Sequence, residues 1–163
     1  MPKDCLYARH PAFSFAIALA GVALCLGGCS TPAAMAPRSN LSRDNAILMA
    51  QRTAEATGGR VFTIAPTGSM KPTLDENSVV TVETVAFSQL RQGDIVIYRN
   101  SAGVPIVHRL YQQTDGNWFV LGDNNASVDR EAVTPANILG RVCAIFYTSS
   151  GPQGNAPTAL AQR

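Results

Sequence analysis

Beyond residue 60 the chain alternates short apolar runs, rich in valine, isoleucine and aromatic residues, with clusters of turn-forming residues. Runs of this kind, bounded by glycine, asparagine and aspartate, are typical of β-strands. Six runs are predicted as strands: 61–64, 78–85, 94–99, 104–111, 118–121 and 138–147. Because no long amphipathic helix interrupts them, we expect a mainly β domain over residues 60–148, built as a small coiled antiparallel sheet or partly open barrel.

Residues 41–58 have the pattern of a short helix that precedes this domain. Ser42 or Asn40 could serve as its N-cap, and Gly58 and Gly59 supply a stop signal. The helix could pack on the domain or lie along a membrane surface, and packing is the simpler interpretation. The last stretch, 149–163, is small and polar and is predicted to be disordered.

The first 28 residues have the pattern of an export signal, with Lys3 and Arg9 before an uncharged, largely apolar stretch over 12–28. As a helix this stretch would span about 25 Å. That is short for a permanent span of a hydrocarbon layer about 30 Å thick. The stretch ends in LGGC at Cys29, which resembles the lipobox of bacterial lipoproteins, where a lipid is attached to the cysteine and cleavage occurs before it. A plain signal anchor with an incidental cysteine is the alternative.

The lipoprotein interpretation implies that Cys29 is lipidated and that residues 29–40 form a flexible tether to the membrane. The protein would then lie in the bacterial cell envelope, facing the periplasm or another extracytoplasmic side. Loss of residues 1–28 would leave Cys143 as the other cysteine of the mature chain. It lies in an apolar run, where a buried packing role is expected.

Charge and composition exclude several classes of function. The formal net charge is +2, and it falls to +1 without residues 1–28, because 11 of the 13 Lys/Arg then face 10 of the 11 Asp/Glu. A charge so close to neutral gives no reason to expect nucleic-acid binding. No cluster of cysteine and histidine suggests a metal site, and no cofactor is expected. The 163 residues leave about 90 for a core, enough for one small domain.

Ser69 and His108 are the candidate catalytic residues. The other histidine, His10, lies in the leader, and the lysines are Lys3, also in the leader, and Lys71, two residues from the serine. A serine hydroxyl becomes a useful nucleophile when a neighbouring base takes its proton, and His108 is the leading candidate for that base. In an apolar strand without such neighbours, a lone histidine would be interpreted as structural.

Four segments, in the same order, resemble the sequence boxes of type I signal peptidases. They are SMKPTL at 69–74, the nucleophile box; RQGDIVIY at 91–98, the Gly-Asp strand; PIVHRL at 105–110, the general-base strand; and GDNNASVDR at 122–130, the acidic loop. Common bacterial members have lysine at the base position. Members from the endoplasmic reticulum, archaea and some Gram-positive bacteria have histidine followed by arginine, and the chain resembles this branch.

The resemblance implies a fold of the signal peptidase type and a serine endopeptidase activity. Ser69 would be the nucleophile and His108 the general base, while the Ser69 amide and the Thr67 hydroxyl would form the oxyanion hole. It also implies an aspartate beside the imidazole, for which Asp123 and Asp129 are both candidates. Asp129 is preferred, because Asp123 could instead hold its turn.

The substrate implied by the resemblance is a protein or peptide, cleaved after small residues in an extended, membrane-proximal segment. Met70 and Pro72 are the candidate substrate-binding residues: Met70 would line or support the subsites, and Pro72 is expected to stiffen the chain and leave Ser69 extended. Alternation along a strand sends His108 and Arg109 to opposite faces, so Arg109 is expected to pair with a carboxylate.

A second hypothesis is a non-proteolytic envelope lipoprotein that uses the same fold as a binding or assembly module. The presence of all four boxes argues against it, because a binding module has no need of this set. A self-cleaving relative, similar to repressor proteases with a Ser-Lys dyad, is disfavoured by the exported leader and by the lack of a suitably placed lysine. No oligomeric state is predicted.

Overall fold

A computed structural model describes residues 35–149. Its elements are α1 (Arg43–Thr57), β1 (Arg60–Thr63), β2 (Ser78–Glu83), β3 (Ile95–Arg99), β4 (Pro105–Thr114), β5 (Asn117–Leu121) and β6 (Ile138–Tyr147), with a short 3-10 helix at Phe87–Gln89. This confirms the predicted mainly β fold preceded by a short helix. The predicted leader, the lipidation site Cys29 and nearly all of the predicted disordered tail lie outside the described residues.

The six strands form one open antiparallel sheet in the order β1-β2-β6-β3-β4-β5. The last strand, β6, lies between β2 and β3, so it joins the two halves of the sheet. Two β-bulges interrupt its pairing, one opposite Thr81 and Val82 and one opposite Ile97 and Tyr98. Bulges bend a strand and increase its twist, which is consistent with the coiled sheet that the sequence predicts.

The sheet has two apolar faces because its strands alternate side chains. On the first, the Met70 face, Met70 and Leu74 cover inward-pointing residues of β2 and β3: Val80, Val82, Ile95 and Ile97. On the second, the Trp118 face, the core consists of Leu90, Val96, Tyr98, Leu110, Trp118, Val120 and Val133. Neighbouring residues of β3 and β4 therefore take part in different cores.

Helix α1 begins after Ser42, whose hydroxyl accepts a hydrogen bond from the Asn45 amide, and ends at Gly58, which has the left-handed conformation common at helix ends. Its buried residues, all alanine, allow the helix to lie close to β2: Ala46, Ala50 and Ala54. The Thr81 hydroxyl donates to the Ala50 carbonyl at 3.0 Å. The helix thus packs on the domain, as the simpler interpretation of the sequence expects.

The residues just before α1 are held against the domain. Ala36 is buried, and Arg38 lies 2.9 Å from the buried carboxylate of Asp75. The Ser39 hydroxyl also donates to the Tyr147 carbonyl. Ala36, Arg38 and Ser39, which belong to the predicted tether over 29–40, therefore contact the domain in this structure.

Cys143 differs from its prediction as well. It is exposed on β6 rather than buried. It lies at the bulge where the pairing register between β6 and β2 shifts, opposite Thr81 and Val82. The extra residue in a bulge changes the side to which a side chain points, so an apolar run no longer predicts burial there. Across residues 35–149, no helix is both long and apolar enough to cross a membrane.

Candidate active site

Ser69 lies at the start of a series of turns between β1 and β2. Gly68 has φ +75°, a conformation that glycine adopts without strain, and its carbonyl accepts from the Lys71 amide at 3.2 Å. A second turn follows, closed by the Leu74 amide on the Met70 carbonyl at 2.8 Å. The prediction that Ser69 would be extended is therefore wrong: the glycine and these two hydrogen bonds fold the segment into turns.

The turn is fixed to the sheet by two of its side chains. Met70 and Leu74 are completely buried in the Met70 face, while Pro72 is exposed and Ser69 is partly exposed. Met70 can therefore support a substrate subsite from below but does not offer its own surface. Pro72, one of the two candidate substrate-binding residues, lies at the surface of the turn.

Thr67 lies beside the Ser69 hydroxyl. The two hydroxyl oxygens are 3.3 Å apart, and the Ser69 amide reaches Thr67 Oγ1 at 3.5 Å. Thr67 is exposed, so solvent or a ligand can reach its hydroxyl. The backbone amide and the threonine hydroxyl are thus close enough to donate to one shared acceptor atom.

His108 is buried in β4, directly opposite Val96 of β3. Its Nδ1 lies 2.7 Å from Asp129 Oδ2. This contact leaves Nε2, the other ring nitrogen, available for a second partner. Among residues 35–149, the hydrogen bonds of Ser69 Oγ include Thr67 and do not include His108.

Asp129 is held from three directions. Its backbone amide donates to the Val120 carbonyl of β5 at 2.9 Å, which closes the loop that carries it. Its Oδ2 atom accepts from the Tyr98 hydroxyl at 2.6 Å as well as contacting His108. Burial, and then the hydrogen bond to Asp129, raises the pKa of Tyr98 far above its ordinary value, so the phenol remains a donor at every physiological pH.

Asp123 has a different partner. Arg109 donates to its two carboxylate oxygens, at 2.8 Å to Oδ1 and 2.7 Å to Oδ2, and the Thr73 hydroxyl donates to Oδ2. Burial would raise the pKa of Asp123, but the hydrogen bonds from Arg109 and Thr73 outweigh it and hold the pKa below its usual value. Of the two aspartates that the sequence left open, Asp129 contacts the His108 ring and Asp123 contacts Arg109.

The acidic loop that carries both aspartates also contacts the two turns over residues 68–74, which we call the serine turn. The Asn124 amide donates to the Ser69 carbonyl at 2.8 Å, and its side-chain amide reaches the Gly68 carbonyl at 3.2 Å. Gly122 packs so closely that a Cβ atom there would lie 2.7 Å from the Ser69 carbonyl oxygen. One loop therefore positions the candidate nucleophile through its backbone and the candidate base through Asp129.

Sequence reasoning missed two contributors to this site. Tyr98 was interpreted only as part of a strand, although it is the one hydroxyl-bearing residue of the buried run 95–98. Asn124 was named only as part of the acidic loop. A polar group inside an apolar strand is a signal that a buried partner exists, because an unpaired buried hydroxyl is costly.

The described residues contain no group of three or more histidine, cysteine, aspartate or glutamate side chains that could hold a metal ion. A groove of about 440 Å³ opens beside the serine turn, on the Met70 face. Its walls carry both apolar and charged side chains, among them Ile95, Val142, Ile145, Tyr147, Asp94 and Arg109. The Tyr147 hydroxyl donates to the Thr73 carbonyl at 3.1 Å, which joins this groove to the turn.

Two comparisons relate the chain to known proteins. Over 76 residues it is 29% identical to signal peptidase I W of Bacillus subtilis (strain 168), an alignment that covers 44% of this chain and 40% of that protein. The chain thus matches less than half the length of this relative. The sequence model of the Peptidase S24-like family matches residues 33–143, which include the serine turn, β4 and the acidic loop. The chain therefore belongs to the Peptidase S24-like family.

Proposed function

We propose that the chain is a membrane-tethered serine endopeptidase that cleaves extended, membrane-proximal segments of proteins after small residues. The observation that carries the proposal is the 2.7 Å contact between His108 Nδ1 and Asp129 Oδ2. A carboxylate on Nδ1 stabilises the tautomer whose lone pair is on Nε2, the form that can remove a proton from a hydroxyl. The distant similarity to a signal peptidase supports the choice of substrate class.

The proposed reaction follows the usual order for a serine peptidase. Ser69 Oγ bonds to the carbonyl carbon of the substrate as its proton passes to His108 Nε2. His108 then returns this proton to the departing amine as the peptide bond breaks, which leaves an acyl group on Ser69. Water, deprotonated by the same imidazole, attacks the acyl group and restores the serine.

Thr67 and the Ser69 amide would stabilise the oxyanion that forms when the substrate carbonyl is attacked. In the absence of substrate the Ser69 amide nitrogen lies 3.5 Å from Thr67 Oγ1. This contact is weak, and the negatively charged oxygen of the intermediate can replace it by accepting from both groups. The rigid connection of Asn124 to the Ser69 carbonyl would hold the amide in place during this exchange. A preorganised donor of this kind is typically worth about 10²–10³ in turnover.

The test is peptide cleavage by the purified full-length chain, with peptides that carry an Ala-x-Ala site. Ser69→Ala and His108→Ala should each abolish cleavage, while Lys71→Gln, which removes the nearby lysine, should keep most of it. Retention of activity in both the serine and histidine variants would contradict the proposed roles of Ser69 and His108. A folded wild-type chain that cleaves no peptide or protein substrate would instead favour the binding module.

The proposed tether is tested separately. Radiolabelled palmitate should enter the wild-type chain in bacterial cells and should not enter Cys29→Ala. Ser69→Ala, which removes no lipid attachment site, is the matched control and should be labelled like the wild type. Equal labelling of Cys29→Ala would exclude this cysteine as the anchor.

A further inference from the structure

The hydroxyl of Tyr98 and the ring of His108 share one oxygen atom of Asp129. The phenol oxygen lies 2.6 Å from Oδ2, and His108 Nδ1 lies 2.7 Å from the same atom. Tyr98 is 2% exposed, and the side chains of His108 and Asp129 are 8% and 20% exposed. The three groups therefore form a hydrogen-bond network, largely excluded from solvent, that runs from β3 through the acidic loop to β4.

Packing alone does not account for a tyrosine at this position. The Tyr98 ring lies in the core of the Trp118 face beside Val96 and Leu110, where a phenylalanine ring would have the same apolar surroundings. The hydroxyl adds nothing to that core, and burying it is costly unless it is hydrogen-bonded. The partner that offsets this cost is Asp129.

The shared oxygen also decides where the imidazole carries its proton. The Tyr98 hydroxyl donates to Asp129 Oδ2, so this carboxylate oxygen is already the acceptor in one hydrogen bond. The 2.7 Å contact of the same oxygen with His108 Nδ1 then needs an N–H at Nδ1. With the proton of the ring on Nδ1, the lone pair is on Nε2.

We propose that Tyr98 is a positioning residue that acts through Asp129: its hydroxyl fixes the carboxylate oxygen that orients His108 and selects the imidazole tautomer able to act as a base. This inference rests on the proposed function. Tyr98 has no contact with the serine turn among the hydrogen bonds of the described residues, so its effect would pass through the shared oxygen. Without the phenol, the carboxylate can rotate and the two tautomers become closer in energy.

The first test is spectroscopic and does not depend on activity. His10→Gln leaves His108 as the one histidine of the full-length chain. The ¹⁵N chemical shifts of its ring, at a pH where it is neutral, then report the tautomer directly. In this background the Nδ1–H form should predominate, and Tyr98→Phe should shift the population towards Nε2–H. Tyr111→Phe removes the hydroxyl of an exposed tyrosine on β4 and should leave the shifts unchanged. An unchanged tautomer in Tyr98→Phe overturns the proposal.

The second test is kinetic. Tyr98→Phe should reduce kcat about 5- to 20-fold with KM within two-fold of the wild type, because a lost orientation affects the chemical step more than binding. In an Asp129→Asn background the same substitution should have no further effect on kcat, since residues that act as one unit are not additive. Equal reductions in both backgrounds would show that Tyr98 does not act through Asp129.

The outcomes separate this inference from the proposed function. Cleavage that survives Ser69→Ala refutes the proposed peptidase mechanism, and the tautomer measurement still decides the role of Tyr98. Cleavage that depends on Ser69 but is unaffected by Tyr98→Phe, with an unchanged tautomer, refutes the role of Tyr98 alone. Far-ultraviolet circular dichroism and thermal unfolding of Tyr98→Phe confirm that the variant folds.

Discussion

Arg109 donates two hydrogen bonds to Asp123, from Nε at 2.8 Å and from Nη2 at 2.7 Å. Planar pairing of this kind is stronger than a single ion contact and specifies geometry as well as charge. The guanidinium also donates to the Gly93 carbonyl at 2.8 Å. Arg109 thus links the acidic loop to the turn that precedes β3, and this link is structural rather than part of the proposed proton transfer.

Asp123→Asn should lower the free energy of unfolding by about 1–3 kcal/mol at pH 7, because it breaks a charge-assisted pair. The pKa of Asp123 is lower in the folded chain than in the unfolded one, where it is about 3.9. Its stabilising effect is therefore complete above about pH 4 and is lost as the pH falls through the folded-state pKa. The measurement is urea unfolding of both proteins between pH 3 and pH 7.

Asp115→Asn is the control for that prediction. Asp115 is exposed, with φ +51°, in the turn between β4 and β5, and asparagine tolerates this conformation well. Its unfolding curve should match the wild type at every pH. A difference between wild type and Asp123→Asn that stays constant down to pH 3 would contradict the assignment of the pH effect to this carboxylate.

Asp129→Asn should reduce kcat by about 10⁴, the decrease seen when asparagine replaces the aspartate of a serine peptidase triad. The amide can donate to Nδ1 and so favours the tautomer with the proton on Nε2, which cannot act as a base. KM should change little. The assay is steady-state cleavage of an Ala-x-Ala peptide, with Asp115→Asn as the control of equal charge change. A decrease smaller than ten-fold would speak against Asp129 as the orienting group.

Thr67→Val should reduce kcat by about 10²–10³, because it replaces the proposed oxyanion donor by a methyl group of similar size. The side chain is exposed, so unfolding should change by no more than about 0.5 kcal/mol. Thr67→Ser restores a hydroxyl and should recover most of the activity. Thr114→Val, at an exposed position at the end of β4, should be neutral in both assays. Failure of the serine variant to recover activity would indicate a packing role instead.

Gly122→Ala should reduce cleavage more than ten-fold, because the new methyl group would meet the Ser69 carbonyl oxygen and the Asn125 side chain at 2.7 Å. The serine turn must move to relieve this contact, at a cost of about 1–3 kcal/mol in stability. Gly116→Ala is the contrasting control: its φ of +79° strains an alanine, but the surrounding space is open. It should lose stability and keep its activity, and equal losses of activity in the two variants would contradict the prediction.

The sequence pattern predicts the sheet and the separation of His108 from Arg109 because both depend on local alternation. Each strand run contains enough β-branched residues to specify its own conformation, and adjacent residues necessarily face opposite cores. The structure then assigns one aspartate to each of these two residues. The sequence favoured Asp129 beside His108 but could not assign Asp123 to Arg109, because that pairing depends on how the loop after β5 folds back on its own strand.

The structure differs from the sequence pattern where other contacts outweigh the preference of single residues. Proline favours an extended neighbour, yet Gly68 and two backbone hydrogen bonds fold the serine segment into turns. The bulge in β6 exposes Cys143 within an apolar run. Arg38 fixes part of a segment whose composition is that of a linker, because Asp75 is buried and needs a charged partner.

The acidic loop leaves β5 after Leu121 and returns when the Asp129 amide bonds to Val120, so its two ends meet on the same strand. Within that interval it supplies carboxylates to residues on opposite sides of β4. Surface loops usually accept insertions and deletions with little harm. This one should not: even a single added or removed residue between Asp123 and Asp129 would take one carboxylate out of reach, so the length of the loop, as much as its composition, is under constraint.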